Sequence, residues 1–237
     1  AYFGAAFCLG ALMGIPGLVL EQRLKAALRV MRAANGTASA HALIRASTLL
    51  ASLIGGYVFL LLWVLLDDLY EVLPPAYASG AQAALIVGAA YFCVGLLRNA
   101  SAAAPGSGNE RLPVMIGALI VLLHAGLACA LVSGMGLVGA AWATLIALIA
   151  RYAVPVVRSL RAHGASLLER RVIVVLVLVC VLGLLLPWIP LAGNTVTDVV
   201  LRGAAATILF WSLAHVLGLL RGLEVIAPYL RRWKMER

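Results

Sequence analysis

The sequence predicts an all-α fold: a polytopic transmembrane helix bundle of about seven spans. Three observations carry this. Of 237 residues, 64% are hydrophobic and only 11% are charged, against about half and about a quarter in soluble domains. The apolar residues fall into seven runs, roughly 1–20, 48–66, 82–98, 113–132, 137–157, 172–190 and 199–220. Each is long enough to cross a bilayer core of about 30 Å at about 1.5 Å per residue. The runs do not alternate apolar with polar residues, which argues against a barrel. Backbone groups in lipid must then be satisfied within each segment, and only helices do that.

The first run holds Pro16 within GIPG, a hinge candidate or a plain kink, and Gly10 and Gly14 at a helix-packing spacing. Segment 21–47 is basic, with Arg23, Lys25, Arg29, Arg32 and Arg45 against Glu21. Its stretch EQRLKAALRVMRAA spaces Leu24, Ala27, Leu28 and Met31 along one helical face. That pattern predicts an amphipathic helix on the inner membrane surface. Segment 67–81 carries only acids: Asp67, Asp68 and Glu71. Arg98 and Arg111 flank a loose Ala/Gly/Ser/Pro loop, and the turn 133–136 is uncharged. Arg158, Arg161, Arg170 and Arg171 come next, then a loop whose acid is Asp198. The tail LEVIAPYLRRWKMER sets Tyr229 and Trp233 among bases, a headgroup-level pattern.

Basic loops thus alternate with acidic or bare ones. By the positive-inside rule, the basic loops and the C-terminus are expected in the cytoplasm. Arg202 is the exception, a base near the outer face. Seven spans with an inner C-terminus put Ala1 outside without a basic leader, so the sequence reads as the C-terminal part of a longer protein. The sequons Asn35-Gly36-Thr37 and Asn99-Ala100-Ser101 fall on the inner side and are discounted as glycan acceptors. The net charge of +9 is a topology signal, so no nucleic-acid partner is expected. Cys8, Cys93, Cys129 and Cys180 lie singly in apolar runs. They read as buried thiols, with no metal or cofactor implied.

Three stretches resemble the C-terminal half of polysaccharide exporters, in the superfamily of multidrug, oligosaccharidyl-lipid and polysaccharide exporters. These are Leu73-Pro74-Pro75-Ala76-Tyr77, the helix end Leu96-Leu97-Arg98-Asn99, and Gly136-Leu137-Val138-Gly139-Ala140-Ala141-Trp142-Ala143-Thr144. The family's usual outer loop has Phe-Gly where this chain has Leu73-Pro74. With GALMGIPGLVLEQRLKAALRV (10–30), the resemblance covers about 160 residues. It implies a C-terminal lobe in residues 1–160 (five spans), with 161–237 adding two peripheral helices and a basic cytoplasmic tail. The whole protein would have twelve to fourteen helices. It would be a flippase moving an undecaprenyl-pyrophosphate oligosaccharide across the bacterial inner membrane by alternating access. Its partners would be that lipid-linked glycan, membrane lipids and polysaccharide-assembly proteins.

Spacing adds candidate residues. Ala140, Thr144, Ala147, Arg151 and Pro155 form one stripe, Ala84, Gly88, Tyr91, Gly95 and Arg98 a second, and Gly117, Val121, His124 and Ala128 a third. Small faces turn toward protein or a cavity, while Leu, Ile and Val on the opposite faces meet lipid. Pro155 cannot donate to the Arg151 carbonyl, which loosens that turn and makes it a second hinge candidate. Arg151 and Arg98 can fork onto a pyrophosphate, or snorkel to headgroups. Tyr91, Thr144 and His124 complete the candidate substrate site, with His124 either a relay or a neutral interhelical hydrogen bond. A cation-coupled extruder ordinarily needs a carboxylate within the bundle, and no Asp or Glu falls inside the seven runs. Catalysis is not expected: the outer loops are short and hold no His, and their only paired carboxylates are Asp67-Asp68.

Overall fold

A computed structural model describes residues 8, 14, 15, 18, 19, 22, 37–72, 80–102, 111–163, 169–188 and 195–223. The regular structure among them is entirely helical: α1 Thr37–Val72, α2 Ala81–Ala102, α3 Arg111–His163, α4 Arg170–Leu185 and α5 Thr195–Val216. Short 3-10 turns follow α4 at Leu186–Trp188 and α5 at Leu220–Leu223. Among the described residues five helices are long and apolar enough to cross a membrane, and the count of seven is not confirmed. The first run lies almost wholly outside the described residues, as do Pro16, the 21–34 amphipathic stretch, Leu73–Tyr77 and the tail with Tyr229 and Trp233. The runs 113–132 and 137–157 belong to one 53-residue helical element.

That element is folded back on itself. Gly136 has φ 57° and ψ −130°, the conformation of the first central residue of a type II′ turn, which favours glycine. Residues 111–135 form arm α3a and residues 137–163 form arm α3b. In a straight helix, residues 124 and 144 would stand about 30 Å apart at about 1.5 Å per residue. Here His124 Nε2 and Thr144 Oγ1 are 3.3 Å apart. The backbones meet just past the turn: a Cβ on Gly139 would strike the Leu131 carbonyl. GMG-LVG is therefore a helical hairpin, the short turn expected at 133–136.

α1 is the central helix and runs past its apolar core at both ends. The sequence places 21–47 and 67–81 in loops; instead the helix occupies 37–72. Backbone amides in a dry environment have no better partner than their own helix. The hydroxyls on the basic side are absorbed the same way. Ser47 and Thr48 donate to the Ile44 carbonyl at 2.9 and 2.8 Å, and Ser52 donates to Leu49 at 2.7 Å. The described helix runs to Val72; Pro74, next but one in the sequence, lacks an N–H and disfavours helix in the residue before it.

α2, α4 and α5 all pack on α1 around one core that includes Leu53, Leu60, Val87, Val175 and Phe210. The registers give the directions. Phe92 stacks on Phe59 at 5.7 Å, Asn99 reaches the Ser47 carbonyl and Gly80 meets Tyr70, so α2 is antiparallel to α1. Gly56 meets Val179 and Gly183 meets Trp63, so α4 is parallel to α1. Tyr57 contacts Thr207 and Asp68 contacts Arg202, so α5 is antiparallel. This is an up–down bundle, and it sorts charge. Asp67, Asp68, Glu71 and Asp198 gather at one end. Arg45, Arg98, Arg158, Arg171 and Arg221 gather at the other.

Two expectations fail here. Cys8, Cys129 and Cys180 are exposed on the bundle surface and Cys93 is half-buried, all as free thiols. An apolar run supplies outward positions as well as core ones, and these three lie outside the packed core. A carboxylate does lie within the bundle: Asp68 is only 7% exposed on α1, because the helix continues beyond the apolar run that ends near 66.

Candidate functional site

The basic end holds the densest group of expected residues. α2 brings Arg98 there in its last turns, and α3b brings Arg151 and Tyr152. Arg98 Nε donates to Tyr152 Oη at 2.7 Å. The Arg98 guanidinium carbon is 5.7 Å from the Tyr152 ring centroid, and that of Arg151 is 6.0 Å away. Both distances fall within the cation–π range of about 6 Å. Tyr91 lies two turns earlier on α2, seven residues before Arg98. Two guanidinium groups thus stand on one phenol ring, with a second phenol nearby. Tyr152 is seated by its own small cluster, packed against Val94, Val156, Leu97 and Leu148.

The exposures differ within this group. Tyr152 is buried, Arg98 half-buried and Arg151 exposed. The predicted stripe of α3b is therefore only partly right. Ala147 and Thr144 are buried, Ala140 and Pro155 half-buried, and Arg151 lies at the edge of the packed face. The face that meets α2 runs through Leu148, Tyr152 and Val156, about 100° around the helix from the stripe, since successive residues turn by that much. Arg151 has no carboxylate partner among the described residues. α3 continues as helix through Pro155, so no break marks that hinge candidate.

Thr144 and His124 form a separate group. The Thr144 hydroxyl donates to the Ala140 carbonyl at 2.9 Å and lies 3.3 Å from His124 Nε2. The pair bridges the hairpin arms. Thr144 lies eight residues from Tyr152, about 12 Å along the helix. The expected set Arg151, Arg98, His124, Tyr91 and Thr144 thus divides in two: a cationic phenol group at the basic end, and an interarm bond near mid-span.

Three residues of consequence escaped sequence reasoning. Tyr152 follows Arg151 and is not on the small-residue stripe; its spacing of four from Leu148 and Val156 is the signal. Arg202, unexplained in the sequence, is matched by Asp68. Its Nη1 donates to Oδ1 at 3.0 Å and to Oδ2 at 3.1 Å. Asp198, one turn before Arg202 on α5, has a buried Oδ1 without a partner. Nothing in one sequence pairs positions 134 residues apart. Among the described residues, no group of three or more His, Cys, Asp or Glu could hold a metal ion. No protein-family model matches the chain, and no curated protein or solved structure matches it either.

Proposed function

We propose that this bundle belongs to an exporter that moves a lipid-linked oligosaccharide across the bacterial inner membrane. The cargo headgroup is a pyrophosphate carried on undecaprenol, and the basic end faces the cytoplasm where that lipid is made. The observation that carries this reading is the Arg98–Tyr152–Arg151 group at the basic end. A pyrophosphate needs several charge-assisted donors at once, and arginine forks supply them in a geometry that lysine does not. The Tyr152 phenol contacts both guanidinium groups and adds no charge of its own. The sequence resemblance to polysaccharide exporters supports the same reading, with translocation by alternating access and no catalytic step. Polysaccharide-assembly proteins are its expected partners.

A cation-coupled extruder is the second reading, because Asp68 supplies the intramembrane carboxylate such a device needs. Arg202 already answers that charge, which leaves the anionic-substrate reading better supported.

The test is glycan export by the complete protein in cells. Arg98→Ala is expected to abolish surface glycan while membrane insertion persists, and Arg98→Lys to restore it only in part. Tyr152→Phe keeps the ring and removes the hydroxyl that positions Arg98, so a partial loss is expected. Native surface glycan in Arg98→Ala, at native protein level, removes the group from the transport path.

A further inference from the structure

We propose that Arg202 is an exchangeable latch between α1 and α5, with Asp68 and Asp198 as its two alternative seats. This goes beyond the export reading and does not depend on what the protein carries.

The observed state is the interhelical one. Arg202 Nη1 lies 3.0 Å from Asp68 Oδ1, and the side chains are 19% and 10% exposed. Two atoms beside this pair are unsatisfied. Arg202 Nε and Asp198 Oδ1 are both buried without a hydrogen-bond partner. One is a donor and the other an acceptor. They sit on residues four apart on α5, whose Cβ atoms are about 5–6 Å apart in any α-helix. A rotation of the Arg202 side chain toward its own helix would match them, with no backbone movement. The guanidinium would then leave Asp68, and α5 would no longer be tied to α1 by charge.

An ordinary buried ion pair resists opening, because separation strands a charge in a low-dielectric interior. A second carboxylate one turn away removes much of that penalty for the cation. The remaining contacts localise the movement. Gly203 presents no side chain to α1, and the nearest α1 atom to a Cβ built there is Leu65 Cδ1 at 3.7 Å. Further in, Tyr57 hydrogen-bonds Thr207 at 2.9 Å, and its ring lies 5.6 Å from both Phe210 and Trp211. That aromatic contact is the pivot. Opening is confined to the end that carries Asp68.

The test uses spin labels on Leu69→Cys and Leu201→Cys, which are exposed neighbours of the latch. The four native cysteines are replaced, and the full chain is held in nanodiscs. Pulsed electron–electron distances are read in three backgrounds. The native latch is expected to give a main short distance with a longer minor one. Asp68→Asn should raise the long fraction several-fold, since Asp198 becomes the only carboxylate seat. Asp198→Asn should remove the long fraction, since Asp68 is then the only one. If Asp198 merely steadies Arg202 against Asp68, Asp198→Asn lengthens the distance, and the proposal fails. It fails equally if Asp198→Asn leaves the distribution unchanged. Should Asp68→Asn not insert, the Asp198→Asn result decides alone.

Discussion

Arg202→Met is expected to cost the bundle about 3–5 kcal/mol, the usual penalty for removing one partner of a buried ion pair. The loss is large because Asp68 is mostly buried: its side chain is 10% exposed and its partner supplies hydrogen bonds to both oxygens. Half-buried Asp198 also loses the neighbouring cation, with its buried Oδ1 still unmatched. Removing the charge on both sides should recover most of the deficit, because the desolvation cost disappears with the pair. Asp68→Asn combined with Arg202→Met is therefore expected to melt well above Arg202→Met alone. Thermal unfolding in nanodiscs reads both. A single variant that melts with the native protein would mean that the pair is solvated and carries no such energy.

Gly139→Val is the second substitution with a large expected effect. A side chain there collides with the carbonyl of Leu131. The obstacle is backbone, which cannot rotate away as a side-chain tip would. Overpacking of this kind costs about 1–3 kcal/mol. The strain acts on the hairpin directly, so the 3.3 Å contact between Thr144 and His124 should be lost with it. Gly134→Val is the control: it sits on the other arm, close to the same turn, with nothing within 4 Å of a Cβ. The expected result is a depressed melting temperature for Gly139→Val and a nearly native one for Gly134→Val. Equal effects would refute the hairpin contact.

Much of the fold was legible in the sequence because lipid leaves a chain few options. An apolar run of sufficient length becomes a helix, and GMGLVG between two such runs becomes their turn. Charge sorting was legible as well. The acids of 67–71 and Asp198 do gather at one end of the bundle, and the arginines of five segments at the other. What failed was whatever depends on rotation about a helix axis or on a distant partner. Arg151 was placed on the packed face of its helix, but an error of one residue turns a side chain by about 100°, and Tyr152 holds that face. Composition marks where a helix is apolar, yet it does not separate core from lipid-facing positions, so Cys129 and Cys180 were misplaced. Asp68 reads as a loop residue because helix propensity and hydropathy part company at the end of the apolar run. The pairing of Asp68 with Arg202 is a tertiary fact that no local pattern encodes.

The guanidinium–phenol group at the basic end is the central feature of the proposed exporter, and binding of a pyrophosphate lipid tests it most directly. Undecaprenyl pyrophosphate is titrated into nanodiscs carrying the full chain, with phosphatidylcholine alone as the blank. One charge-assisted contact is typically worth about 1.5–3 kcal/mol, so Arg98→Ala should weaken binding about tenfold or more. The double variant Arg98→Ala, Arg151→Ala should weaken it further, while Arg45→Ala at the same end should leave it near native. Equal affinity in the native protein and the double variant would contradict the account.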